Sequence, residues 1–177
     1  MLKETVNFTV INSFLGLVLV AKTNIGICAL MISDTKESLL QELRSSFKRL
    51  ELVENKELDP LAYQVMRNIE LKIPCEFPLD MRGTDFQLKV WNLLKQIPLG
   101  KTVSYEDLSI QLQMSKGARA IAKACGSNKI LLLIPCHRVI RKNGNISGYR
   151  WGVSRKEQLL NLEKITLKKR FNLPGQV

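Results

Sequence analysis

In the stretch ILLLIPCHRVIRKNG, residues 130–144, a thiol and an imidazole stand side by side, and His137 is the only histidine of the chain. A cysteine attacks as the thiolate, and at an unperturbed pKa near ~8.5 only a few per cent of it is ionised at neutral pH. Cys136 therefore needs a base or a positive field, and His137 and Arg138 can supply the two between them. Adjacent residues of an extended segment point to opposite sides. His137 reaches Cys136 only through a local turn, which Pro135 can impose, or through a bridging water. An imidazole that works as a base also needs a carboxylate to orient it. Residues 86–177 hold four acids, Glu106, Asp107, Glu157 and Glu163, and each is a candidate. A buried thiol with an incidental neighbour is the bland alternative, and it leaves the place of the sole histidine unexplained.

The elements that must hold this pair lie in a half of the chain with its own character. Residues 86–177 carry 17 Lys and Arg against 4 Asp and Glu, whereas residues 1–85 carry 10 against 12. Solubility needs no such asymmetry, so a polyanion partner is expected for the basic half. A solvated basic face without a ligand is the alternative. Phe86–Gln96 reads as a helix with Phe86, Val90, Trp91 and Leu94 inward, broken by Ile97-Pro98-Leu99-Gly100. Ser104-Tyr105-Glu106-Asp107 resembles a capping box for a helix to about Gln113, and Ser115 is the expected cap of a second helix, GARAIAKAC, ending at Gly126. Two short helices and a tight turn outline a helix-turn-helix. Gly117, Ala118, Ala120, Ala122 and Ala124 leave the second helix little bulk, while Arg119 and Lys123 project from it. Such a helix suits either tight helix packing or close approach to a DNA groove.

The first half reads as scaffold. Thr5–Asn12 alternates weakly, and Leu15–Ala21 with Ile25–Ile32 forms a hairpin around Lys22-Thr23-Asn24. Ser33 or Asp34 is expected to cap a helix with Leu39, Leu40, Leu43 and Phe47 on one face. Asp59-Pro60 starts another, striped by Leu61, Val65 and Ile69. KIPCEFPLDMRGT, residues 72–84, is the best linker candidate, which divides the chain into residues 1–78, a linker at 79–85, residues 86–170 and a tail at 171–177.

Composition excludes several classes. With 45% apolar and 24% charged residues the chain has an ordinary globular balance. No apolar run reaches membrane-spanning length, and MLKETVNFTV lacks the layout of a signal peptide, so a cytoplasmic protein without membrane contact is expected. Cys28, Cys75, Cys125 and Cys136 show no CxxC pairing, which argues against a disulfide framework and against a zinc site. Neither metal nor cofactor is expected.

Ile134-Pro135-Cys136-His137-Arg138-Val139 resembles the active-site signature of the O6-alkylguanine-DNA alkyltransferases, also called methylated-DNA–protein-cysteine methyltransferases. RGTDFQLKVW (82–91), IPLGKTVSY (97–105), ARAIAKACGSN (118–128) and GNISGYRWGVSRKEQLL (144–160) resemble that family's flanking blocks in order. The likeness covers nearly all of residues 79–163 and is strongest to the C-terminal part of the bacterial adaptive-response protein.

The resemblance implies an α/β chain with a small N-terminal ribonuclease-H-like domain of sheet and helices. A mainly helical C-terminal domain with a winged-helix-like helix-turn-helix would follow it. The implied function is DNA repair by direct reversal: Cys136 takes the alkyl group from O6 of guanine, keeps it as a thioether, and is used once. O4-alkylthymine stays open as a second substrate. His137 would be the base through a water, oriented by Glu163. Tyr105 would donate toward the guanine ring, and Asn128 would brace the turn before Cys136. Arg119 would fill the stack when the nucleotide flips out through the minor groove. Ala118, Ala120, Lys123, Gly126, Ser104 and Thr102 would contact DNA beside it. Pro135, Val139, Tyr149, Arg150 and Trp151 would wall the pocket, and Lys156 would favour the thiolate. The partner implied is double-stranded DNA containing O6-alkylguanine, bound by a monomer.

Two departures limit the carry-over. The family's zinc-bearing members use histidines that this chain lacks. The adaptive-response protein's extra N-terminal module is expected to be absent, so gene activation is not carried over. Other readings remain distinguishable. A DNA-binding regulator would keep its function in Cys136→Ala, and a Cys-His hydrolase would turn over repeatedly. A lesion-binding relative without chemistry would lack the cysteine.

Overall fold

The computed structural model describes residues 4–74, 76–146 and 148–171, with side chains through Lys164. Cys75 and the expected tail at 171–177, apart from the backbone of Phe171, lie outside the described residues. The described chain divides into two compact units, one running up to Gly83 and including Lys129–Leu133, the other made of Thr84–Asn128 and the residues from Ile134 on.

The first unit is built on a mixed sheet. Strands β1 (Thr5–Ser13), β2 (Gly16–Lys22) and β3 (Ile27–Ser33) form an antiparallel meander. A strand outside the sequence expectations, β4 (Glu51–Glu54), adds in parallel to β1 and gives the order β3-β2-β1-β4. It is four residues long and mostly exposed, so it carries no apolar signature. The second hairpin turn is longer than expected: Thr23 N–H donates to Gly26 O, and Ile25 is left exposed in the turn. Gly26 is required there, because a Cβ would stand 2.3 Å from Pro78 O. That close approach lets Ile27 N–H donate to Pro78 O and Asp80 N–H to Ile27 O, each within 2.9 Å. Asp80 also accepts from the buried Thr23 hydroxyl at 2.8 Å. Farther along β3, Leu30 exchanges backbone hydrogen bonds with Lys129 and Leu131. With its free edge covered twice, β3 is buried on both faces, which explains the unbroken apolar run ICALMI.

Helix α1 (Lys36–Ser46) is capped by the Thr35 side chain instead of the expected Ser33 or Asp34. Leu39, Leu43 and Phe47 of the expected stripe are buried, whereas Leu40 is only half-buried. Helix α2 (Asp59–Leu71) starts at the predicted Asp-Pro step and buries Ala62, Val65 and Met66, a face rotated from the expected Leu61, Val65, Ile69 stripe. A hydrogen bond from the Thr9 hydroxyl to Asp59 ties its start to β1.

The second unit is mainly helical. Helix α3 (Asp85–Lys95) opens with a Thr84–Gln87 capping box and buries Val90, Trp91 and Leu94. Strand β5 (Val103–Ser104) leads into α4 (Tyr105–Gln111) through the predicted Ser104–Asp107 capping box. Helix α5 (Ala118–Gly126) follows, then a 3₁₀ turn at Cys136–Arg138, strand β6 (Val139–Ile140) parallel to β5, and α6 (Val153–Phe171). Ser115 does not cap α5. Gly117 occupies the cap position, and its N–H donates to Ser109 Oγ of α4 at 3.0 Å. A Cβ on Gly117 would meet Ser109 Oγ at 2.5 Å and Met114 Cβ at 2.7 Å. The turn between α4 and α5 is thus as tight as the sequence suggests, fastened by the Ser109 hydroxyl instead of a Ser115 cap. Among the described residues no helix is long and apolar enough to cross a membrane.

Candidate active site

The approach to Cys136 is not the buried strand that ILLLI suggests. Ile130 makes a single bridge to Leu30, Leu132 takes a left-handed φ of 69°, and Leu133 N–H turns back to Leu131 O. Pro135 then leads into the 3₁₀ turn, where Cys136 N–H donates to Ile134 O at 2.8 Å. At three residues per turn, neighbouring side chains diverge by about 120° instead of opposing each other, so the thiol and the imidazole both face the interior. Both residues are buried.

Asn128 fixes the turn from below. It is 1% exposed, and its Nδ2 donates to Ile134 O at 2.9 Å and to Cys136 Sγ at 3.3 Å. Its own N–H caps α5 through Cys125 O. One amide therefore joins the end of a helix, the turn and the sulfur.

Glu163 of α6 orients the imidazole, with His137 Nε2 and Glu163 Oε1 2.7 Å apart. Arg138 and the Gly100 N–H donate to the same carboxylate at 3.1 Å and 2.9 Å. Burial raises the Glu163 carboxyl, but its hydrogen bonds and charge contacts with His137 and Arg138 outweigh that and hold it at about 2. Burial pushes the His137 imidazole down, so it is neutral at neutral pH. A neutral ring that donates from Nε2 to an ionised carboxylate carries its lone pair on Nδ1. That atom is buried and has no hydrogen-bond partner among the described residues. Of the four candidate acids, the structure brings only Glu163 to the histidine.

The thiol itself is pushed up by burial, opposed by the Asn128 hydrogen bond and the charge of Lys156. It rests protonated and needs a base at the moment of reaction. Lys156 is fully buried, donates to Val139 O at 2.7 Å, and stands 5.9 Å and 5.8 Å from the ring centres of Tyr105 and Tyr149. The positive field at the sulfur thus comes from Lys156, while Arg138 is taken up by Glu163 and the Ile97 carbonyl. The Tyr149 hydroxyl is buried against Cys136, and burial together with its charge and hydrogen-bond contact with that sulfur raises its phenol well above the usual range. Tyr105 is half-buried, and burial pushes its phenol up to about 12. Both phenols keep their protons at neutral pH.

A cleft of 310 Å³ opens among Tyr105, Ala118, Arg119, Ala122, Arg141 and Gly148. Arg119 is exposed at its rim, on the first turn of α5, and Lys123 and Gly126 are exposed farther along that helix. Ala120 is half-buried and Thr102 is exposed. Ser104 is buried, and its hydroxyl is engaged with Asp107 in the cap of α4. Trp151 is buried under Arg150, whose guanidinium lies 5.4 Å from the indole and donates to Gly126 O at 3.0 Å. Pro135 and Val139 are buried beside the thiol. Sequence reasoning missed Arg141 as a wall of the cleft and the Gly100 amide as a donor to Glu163. Neither has a signal of its own: one is a surface arginine, the other a backbone group. Among the described residues no group of three or more His, Cys, Asp or Glu gathers as a metal site.

Residues 85–165 match the family model described as 6-O-methylguanine DNA methyltransferase, DNA binding domain. The bifunctional transcriptional activator/DNA repair enzyme Ada of Escherichia coli is 42% identical over 89% of this chain, which spans 45% of that protein. The inducible methylated-DNA–protein-cysteine methyltransferase of Bacillus subtilis is 39% identical, with 89% of this chain and 84% of the relative aligned. The chain thus spans less than half the length of Ada and of the regulatory protein ada of Salmonella typhimurium, of which it covers 42% at 43% identity. Among solved structures, Mycobacterium tuberculosis OGT in complex with DNA superposes with a TM-score of 0.76 at 30% identity, covering 90% of this chain and 93% of that one.

Proposed function

Because this chain belongs to the methylated-DNA–protein-cysteine methyltransferase family, we propose that it repairs DNA by moving an alkyl group from O6 of guanine onto Cys136, irreversibly and once per molecule. The observation that carries this reading is the buried, protonated thiol of Cys136, hydrogen-bonded by Asn128 and adjoining a neutral His137 that Glu163 orients. In the reaction the Cys136 sulfur forms a bond to the alkyl carbon as the carbon–O6 bond breaks. The thiol proton passes to His137 Nδ1 through a water, and the departing guanine takes up a proton donated by Tyr105. Val139, Tyr149, Arg150, Trp151 and Pro135 line the base pocket, and Lys156 stabilises the developing thiolate.

The nucleotide enters the cleft beside Tyr105, and Arg119 takes its place in the stack. Ala118, Ala120, Lys123, Gly126, Thr102 and Ser104 lie along the DNA-facing edge. Ser104 acts there through the start of α4, since its hydroxyl is engaged. The basic charge of residues 86–177 supplies sequence-independent affinity for the duplex. Residues 1–78 are the ribonuclease-H-like scaffold, and residues 86–170 are the alkyltransferase domain with a winged-helix-like pair in α4 and α5. The protein acts as a cytoplasmic monomer without metal or cofactor.

The test is stoichiometry. With an excess of duplex carrying O6-methylguanine, repaired guanine should stop at one per chain, and Cys136→Ala should repair none. Continued turnover, or repair by Cys136→Ala, overturns the reading and favours a hydrolase or a regulator.

A further inference from the structure

Glu163 is held by more donors than the orientation of an imidazole requires. Its carboxylate accepts from His137 Nε2 at 2.7 Å, from the Gly100 amide at 2.9 Å, and from Arg138 Nε and Nη2 at 3.1 Å. The same guanidinium donates from Nη1 to the Ile97 carbonyl at 2.6 Å. We infer that Arg138 is a positioning residue: clamped between Glu163 and the Ile97 carbonyl, it compensates the carboxylate so that His137 stays neutral, with its proton on Nε2 and its lone pair on Nδ1. This deepens the proposed function and rests on its reading of His137 as the base for Cys136.

The physical argument turns on what would otherwise neutralise a buried carboxylate. Glu163 is 6% exposed, and an ionised carboxylate so placed demands a compensating positive charge. If the imidazole were its only partner, the favoured pair would be carboxylate and imidazolium. An imidazolium has no lone pair and cannot take the thiol proton. A guanidinium on the same carboxylate removes that demand and repels a proton on the ring. Its planar fork can reach both carboxylate oxygens and still serve Ile97, which a point-charge ammonium cannot. The charged groups that bear on the imidazole are Glu163 and Lys156 of α6 and Arg138 of its own turn. Helix α3, packed against the same turn, buries Val90, Trp91 and Leu94, and its charged residues Asp85, Lys89 and Lys95 are exposed. Arg138 and Lys156 both press the imidazole toward neutrality, but only Arg138 also holds the carboxylate.

Because His137 is the chain's only histidine, long-range proton–nitrogen spectra of the imidazole report one ring without assignment. In the wild-type chain the ring should be neutral at pH 7 with the proton on Nε2. Arg138→Gln should raise its titration midpoint by about one pH unit or more, the scale expected when one nearby charge is removed. The acid limb of Cys136 alkylation by O6-benzylguanine should move up in step. Arg138→Lys should shift the midpoint less and mix the two tautomers. An Arg138→Gln ring with the wild-type midpoint and tautomer overturns the inference. If circular dichroism shows that Arg138→Gln does not fold, an unchanged ring in Arg138→Lys overturns it instead. The spectra need no alkyl transfer. A chain that shows the shift but transfers nothing refutes the proposed function alone, and one that transfers with an unchanged ring refutes this inference alone.

Discussion

Burial does two opposite things to Cys136. It raises the thiol and so protects it from adventitious oxidants and electrophiles, and it removes the water that would otherwise solvate a thiolate. Under the proposed function, reaction then depends on groups inside the protein: the Nδ1 lone pair of His137 and the buried ammonium of Lys156. Arg119 is proposed for a different step, nucleotide flipping. It is exposed on α5 at the rim of the cleft, so its contribution should appear only when a nucleotide must leave a duplex. Arg119→Ala is expected to slow repair of duplex O6-methylguanine by about tenfold or more, given the few kcal/mol that flipping costs, and to leave the rate with free O6-benzylguanine nearly unchanged. Parallel kinetics on the two substrates check this, and equal losses would remove Arg119 from the flipping role.

Among the elements, the turn between α4 and α5 is closely packed. Gly117 lies against Ser109 and Met114 with no room for a Cβ, while Ser109 Oγ accepts the Gly117 N–H and donates to Met114 O at 2.7 Å. Gly117→Ala should destabilise the chain by about 1–3 kcal/mol, the usual cost of forcing extra volume into a packed site. Urea unfolding of the two chains measures this, and equal midpoints would show that the turn relaxes freely. The same turn marks the reach of sequence reasoning. The capping box at Ser104, the start of α2 at Asp59-Pro60 and the apolar stripes of α1 and α3 were legible because local chemistry decides them. Ser115 misled because Gly117 took the cap position and bonds the Ser109 hydroxyl, and β4 was invisible because four mostly exposed residues have no period to read. The apolar run 130–134 misled for a related reason. Its burial is real, but it serves a turn that aims Cys136 and not a strand. At the site, Cys136, His137, Asn128 and Glu163 were legible through the family's ordered motifs. The Gly100 amide and the Arg138 clamp appear only once the chain is folded.

At the scale of the whole molecule, Glu163 and His137, both buried, make stability depend on pH in one direction. Glu163 is held at about 2, below its usual 4.5, so its contribution is complete above about pH 4.5 and is lost as pH falls toward 2. His137 is held below its usual 6.5, so the unfolded chain takes up a proton as pH falls through 6.5 while the folded chain resists it. Both effects destabilise the fold in acid. Denaturant midpoints should fall in two stages between about pH 7 and pH 3, and Glu163→Gln should lack the lower stage. A midpoint independent of pH would contradict the ionisation states on which the site depends.

The same ionisation states converge on one sulfur, and the most direct test is to weigh the protein. After exposure to excess O6-methylguanine duplex, the intact chain should gain the mass of a single methyl group, and the modified peptide should carry it on Cys136. An unchanged mass, a second methyl group, or a methyl group on Cys28, Cys75 or Cys125 would contradict the account.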